Sequence, residues 1–176
     1  IQETYEPLVW KQLMGNVRAG DVIADVGAFV GLYTIALARR VGPEGLVFAF
    51  EPDPENFKEL RRHVALNGAE RNIRLSSAAL GEHAGRASFE SGRNSESRLG
   101  ESGASQVAVT TLDAEFANRR IDIMKIDTEG YEEKILRGGL RLLKDPSRSP
   151  RLLYIEVHPY AWASLGTSSR SLLGLL

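Results

Sequence analysis

Short runs of consecutive apolar residues recur along this chain, each closing on a glycine, proline or acidic residue and separated from the next by a stretch with helical spacing. A strand that reads as a continuous apolar run is covered on both faces, and a helix between two strands forces them to pair in parallel. The expected architecture is therefore α/β, a doubly wound and mostly parallel sheet.

The first run, Val22 to Val26, meets a glycine turn, Gly27 to Gly31, and then the small and apolar residues Leu32 to Arg40. The second, Leu46 to Phe50, ends at Glu51-Pro52-Asp53-Pro54, where Asp53 can cap a helix carrying Pro54 at its first position. Phe57, Leu60 and Val64 continue that helix, Asn67-Gly68 stops it, and Ile73 to Leu75 begins a third strand. Ser91 to Gln106, rich in serine and glycine, reads as a mobile loop. Val107 to Thr111 reads as a short strand and Leu112 to Ala117 as a short helix. Ile121 to Ile126 is the fourth main strand and Leu152 to Val157 the fifth, ending at His158-Pro159.

Composition narrows the function. At 176 residues the chain suits one domain that buries roughly 70% of its unfolded surface. It has no cysteine, which excludes disulfides, thiolate zinc sites and a cysteine nucleophile. His63, His83 and His158 show none of the spacings of a zinc site, so no metal is expected. A net charge of -1 implies no polyanion-binding field, and nucleic acid is not an expected partner. No apolar run reaches the roughly 20 residues that span a bilayer, and Glu3 and Glu6 stand where a signal peptide would carry positive charge. A cytoplasmic protein with no membrane partner is the expectation.

The chemistry concentrates at the carboxyl ends of the apolar runs. In Asp25-Val26-Gly27-Ala28-Phe29-Val30-Gly31 the glycines let a ligand approach the backbone at a helix start. Phe29 stands where a dinucleotide fingerprint needs its second glycine, which obstructs a pyrophosphate and argues against NAD or FAD. Glu51, 26 residues after Asp25, suits the paired hydroxyls of a ribose. An adenosine ligand without a diphosphate, beside the acidic Asp25, points to S-adenosylmethionine, whose ammonium and sulfonium are both cationic.

With Thr111-Leu112-Asp113, the block Lys125-Ile126-Asp127-Thr128-Glu129-Gly130-Tyr131-Glu132 and Glu156-Val157-His158-Pro159, these segments resemble the FkbM family of class I S-adenosylmethionine-dependent methyltransferases over about Tyr5 to Pro159. The fourth-strand block is the most specific part. The resemblance implies a Rossmann-like sheet of order 3-2-1-4-5 and methylation of hydroxyl groups on sugars, glycans or natural-product small molecules. It also implies cofactor contacts from Asp25, Gly27, Ala28, Phe29, Gly31, Glu51, Pro52 and Ser77. Family members commonly have Asn where Phe29 stands. A class I fold adds an antiparallel strand pair after the fifth strand, whereas this chain stops at Leu172 to Leu176. The expectation is one class I domain over residues 1–176, truncated at its C-terminus and lacking that pair.

In such a sheet the crevice opens at the carboxyl ends of the first and fourth strands. Asp127, Glu129 and His158 are the polar groups expected near the transferred methyl, each able to act as general base, with His158 favoured because imidazole titrates near neutrality. Two rival readings remain: a cofactor-binding module without catalysis, and a nicotinamide-dependent oxidoreductase. The second also lacks the short-chain dehydrogenase pair, because Tyr131 and Lys134 are three residues apart instead of four.

Overall fold

The computed structural model describes residues 7–90, 98–99 and 105–176. A first helix, α1 (Pro7–Asn16), leads into β1 (Val22–Val26), α2 (Leu32–Val41), β2 (Leu46–Phe50), α3 (Pro54–Leu66) and β3 (Ile73–Ser76). Then come β4 (Ala79–Leu80), β5 (Gly85–Glu90), β6 (Arg98–Leu99), β7 (Ser105–Thr110), α4 (Leu112–Glu115) and β8 (Ile123–Ile126). The chain continues through α5 (Glu132–Arg137), α6 (Leu140–Lys144), β9 (Leu152–Ile155), α7 (Pro159–Leu165) and α8 (Ser169–Leu173).

The main sheet has five strands in the order β3-β2-β1-β8-β9, all pairings parallel. With β8 and β9 as the fourth and fifth main strands, this is the expected order. Its buried strands leave both faces apolar, so two cores form. One gathers Leu13, Ile23, Leu37, Val47 and Leu60 under α1, α2 and α3. The other gathers Val26, Phe50, Phe116, Met124, Ile126 and Leu136. Phe116 fixes the second by edge-on contacts with Phe48 and Phe50, at centroid distances of 5.3 and 6.1 Å. Asp53 caps α3 as expected, accepting the backbone N–H groups of Glu55 and Asn56 at 2.9 and 3.1 Å.

A second sheet, order β4-β7-β5-β6, was only partly legible. Of its strands the sequence showed Val107 to Thr111 alone, and that strand starts earlier, at Ser105. The expected loop Ser91 to Gln106 is therefore too long: Arg98–Leu99 and Ser105–Gln106 are strand, and the rest of it lies outside the described residues. Strand pairing overrides the weak propensity of these serine- and glycine-rich segments. Elsewhere boundaries move by a few residues. Ile121 is not in β8 because its N–H goes to the Arg148 carbonyl at 3.1 Å, and α4 closes at Glu115 instead of Ala117. After β9 the described residues contain α7 and α8 and no strand. Among the described residues no helix is long and apolar enough to cross a membrane.

Candidate active site

Two turns face each other at the carboxyl ends of β1 and β8. The first leaves β1 at Gly27, whose φ of 81° needs a residue without Cβ. The N–H groups of Gly27 and Ala28 both donate to the Phe50 carbonyl at 3.0 Å, tying the turn to the end of β2. Phe29 follows in the left-handed region, φ 50°, is 36% exposed, and its N–H donates to Glu51 Oε2 at 2.8 Å. Gly31 then opens α2.

Glu51 is 5% exposed, and its other oxygen accepts the Asp53 N–H at 3.0 Å. Burial pushes its carboxyl up to about 7, against the pull of those two N–H bonds. Each carboxylate oxygen keeps a further lone pair, so the group can still accept from ligand hydroxyls. Pro52 is half-buried beside it, and Ser77 is exposed just past β3. Asp25 is wholly buried on β1; Oδ2 accepts the Thr34 hydroxyl at 2.5 Å, while Oδ1 has no hydrogen-bond partner. Burial raises its pKa and the Lys125 ammonium opposes that rise.

The second turn leaves β8 at Asp127 and presses on the first. A Cβ at Gly27 would lie 1.8 Å from the Asp127 carbonyl oxygen. Asp127 Oδ2 pairs with Lys125 Nζ at 2.9 Å, and Oδ1 lies 3.9 Å from His158 Nε2. Glu129 is left-handed at φ 55°, places Oε2 3.7 Å from the same nitrogen, and accepts the Tyr160 hydroxyl. Phe29 and Glu129 are the two non-glycine residues with positive φ among the described residues, and they occupy the two facing turns. Backbone strain of about 1–3 kcal/mol per residue collects at sites where function requires that shape.

His158 starts the segment after β9 and is set by Glu132, a fully buried residue at the start of α5. Glu132 Oε1 accepts the Gly130 N–H at 2.9 Å and also meets His158 Nδ1 at 3.0 Å. A carboxylate oxygen only accepts, so Nδ1–H donates to it, and in the neutral form of the ring Nε2 is the nitrogen left with a lone pair. The bond to Glu132 raises the pKa of His158, burial opposes it, and Glu129 and Asp127 add to the rise.

The fold thus brings Asp127, Glu129 and His158 together, as their strand-end positions implied. It adds three residues given no role from sequence. Glu132 orients the imidazole, Glu156 Oε1 lies 3.7 Å from His158 Nε2, and Tyr160 packs edge-on against the histidine at 5.8 Å. The signal for Glu132 was its place in the fourth-strand block; nothing pointed to Tyr160. Ligand atoms of Asp127, Glu156 and His158 fall within 4.8 Å of one another, a grouping able to hold a divalent cation that no sequence spacing revealed.

A family model described as the methyltransferase FkbM domain matches residues 25–173, which takes in both turns. The chain belongs to the FkbM methyltransferase domain family. This FkbM domain is 24% identical to methyltransferase sdnD of Sordaria araneosa, over 71% of the chain and 62% of that protein. It is also 24% identical to the hexuronic acid methyltransferase AglP of Haloferax volcanii, over 85% of the chain and 61% of that protein. The FkbM domain therefore spans about three-fifths of the length of these relatives. Among solved structures, Aeropyrum pernix fibrillarin with natively bound S-adenosyl-L-methionine shares the fold at a TM-score of 0.50 and 13% identity, covering 96% of this chain and 64% of that one.

Proposed function

We propose that this FkbM domain binds S-adenosylmethionine and transfers its methyl group to a hydroxyl of a sugar, glycan or natural-product small molecule. One observation carries the reading: a glycine turn with a strand-end carboxylate, Glu51, abuts a second turn where His158 points Nε2 at three carboxylates. The similarity to a hexuronic acid methyltransferase supports a sugar acceptor. The residues present fit the cofactor. Asp25 offers a buried oxygen without a partner for a cationic group, Glu51 suits ribose hydroxyls, and Gly27 and Gly31 supply the positive φ the turn requires.

When bound, S-adenosylmethionine supplies a methyl group on a cationic sulfur. Direct displacement at that methyl by the acceptor oxygen would need no covalent enzyme intermediate, so the protein's part is to align the acceptor hydroxyl and take its proton. His158 Nε2 takes the hydroxyl proton, while Glu132 holds the ring and stabilises the imidazolium. Asp127 and Glu129 orient the acceptor. The exposed aromatic Tyr160 and the apolar Val157 shape the rim, away from which water must be excluded.

Calorimetric titration with S-adenosylmethionine, S-adenosylhomocysteine and NAD tests the cofactor half. Tight NAD binding with no response to the methyl donor overturns it. Radiolabelled methyl transfer to uronic acid, neutral sugar and polyketide-like alcohols tests the acceptor half, and cofactor binding with no transfer to any of them favours a binding module.

A further inference from the structure

Lys125 is a buried charge that the mechanism above leaves unused. It lies opposite Asp25 in the β1–β8 register and opposite Tyr154 in the β8–β9 register, and residues paired this way in a parallel sheet point to the same face. Its side chain is 5% exposed. The ammonium sits 2.9 Å from Asp127 Oδ2 and 4.8 Å from the centre of the Tyr33 ring. Burial pulls its pKa down, but Asp25 and Asp127 pull it up further, so the group stays charged. Taking an ammonium out of water costs several kcal/mol, and a methionine would fill the same space without that cost. The charge therefore has to be explained by what it acts on.

It acts on the two carboxylates that flank the crevice floor, Asp25 on the cofactor side and Asp127 on the acceptor side. Methyl transfer turns a cationic sulfur into a neutral thioether. A carboxylate nearby favours the sulfonium ground state, and interactions stronger in the ground state than in the transition state slow the step. We propose that Lys125 is a positioning residue that pins Asp127 Oδ2 and cancels its charge towards the sulfonium, leaving Oδ1 to the acceptor side. The proposal rests on the methyltransferase reading.

The test needs no acceptor. S-adenosylmethionine carries the sulfonium and S-adenosylhomocysteine does not, so the ratio of their affinities, measured by calorimetry, reads the field at sulfur. Lys125→Met should shift that ratio towards S-adenosylmethionine by about five- to twentyfold, the order expected for removing one charge at an effective dielectric of about 20. Removing both members of the pair, in Lys125→Met with Asp127→Asn, should return the ratio close to that of the parent. If Lys125→Met does not fold, Lys125→Gln removes the charge while keeping a polar contact, with the same expectation. An unmoved ratio in a folded variant overturns the proposal, and so does a shift that persists in the double variant. A parent chain that binds neither compound overturns the methyltransferase reading itself.

Discussion

The Glu51 side chain and the Phe29 backbone meet at 2.8 Å across the gap between the end of β2 and the turn after β1. Glu51 was expected to hold a ribose; it also clamps the turn in which Phe29 adopts a left-handed conformation. Under the proposed reading one carboxylate serves the turn and the ribose together, which shapes how its variants should behave.

Glu51→Ala should weaken S-adenosylmethionine binding roughly ten- to a hundredfold, about 1.5–3 kcal/mol per lost charged hydrogen bond. It should also lower the melting temperature, because the Phe29 and Asp53 N–H groups lose their acceptor. Calorimetry and thermal denaturation separate the two effects. Unchanged affinity in a folded variant would show that the carboxylate is structural alone.

Because burial raises the Glu51 carboxyl from 4.5 to about 7, its ionisation opposes folding. The stability this group contributes is fully present below pH 4.5 and is lost as pH rises through about 7, on the order of 3 kcal/mol. Ligand hydroxyls that donate to the carboxylate favour its ionised form. Cofactor affinity should therefore rise between pH 6 and 8, with proton release on binding, and Glu51→Gln should flatten that rise. Titrations in buffers of different ionisation enthalpy measure the proton count directly.

His158→Ala should lower turnover on a hydroxyl acceptor by roughly 10²- to 10⁴-fold while leaving cofactor affinity nearly intact. Glu132 raises the histidine pKa, so the imidazolium persists above the usual 6.5 and the acidic limb of the rate profile lies above that value. Glu132→Gln should move the limb to lower pH. An NMR titration of the His158 ring checks the shift without an acceptor, and a ring pKa that stays put would rule out Glu132 as its cause.

Gly27→Ala should destabilise the domain by roughly 3 kcal/mol or more, since the new methyl would collide with backbone at 1.8 Å and φ is 81°. Gly20 also has positive φ, at 82°, but a Cβ there meets nothing within 4 Å. Gly20→Ala should then cost only the backbone strain of about 1–2 kcal/mol. Parallel denaturation of the two variants isolates the collision from the strain.

The apolar runs made β1, β2, β8 and the half-buried edge strand β9 readable, because continuous apolar runs announce themselves without a partner. The residues of β5 did not, since Gly85 to Glu90 becomes a strand only through its antiparallel pairing with β7. The site followed the same division. Asp127, Glu129 and His158 could be placed by their positions at strand ends. Tyr160 reaches Glu129 and the histidine only after α7 turns back over the crevice, and Glu156 joins them only because β9 runs beside β8. Both stand two residues from His158, but their approach to Asp127 and Glu129 on the other turn leaves no period or spacing in one dimension.

The contact between Gly27 and the carbonyl of Asp127 also bears on how specificity can be redesigned. With no room for even a methyl group between the two turns, backbone packs on backbone, which fixes how closely the ends of β1 and β8 approach. Spreading β1 from β8 would break their parallel pairing, so under the proposed reading this floor is a poor place to admit a larger acceptor. Under the proposed reading, selectivity is better altered at exposed Val157 than at Tyr160, whose hydroxyl donates to Glu129 and whose ring packs on His158.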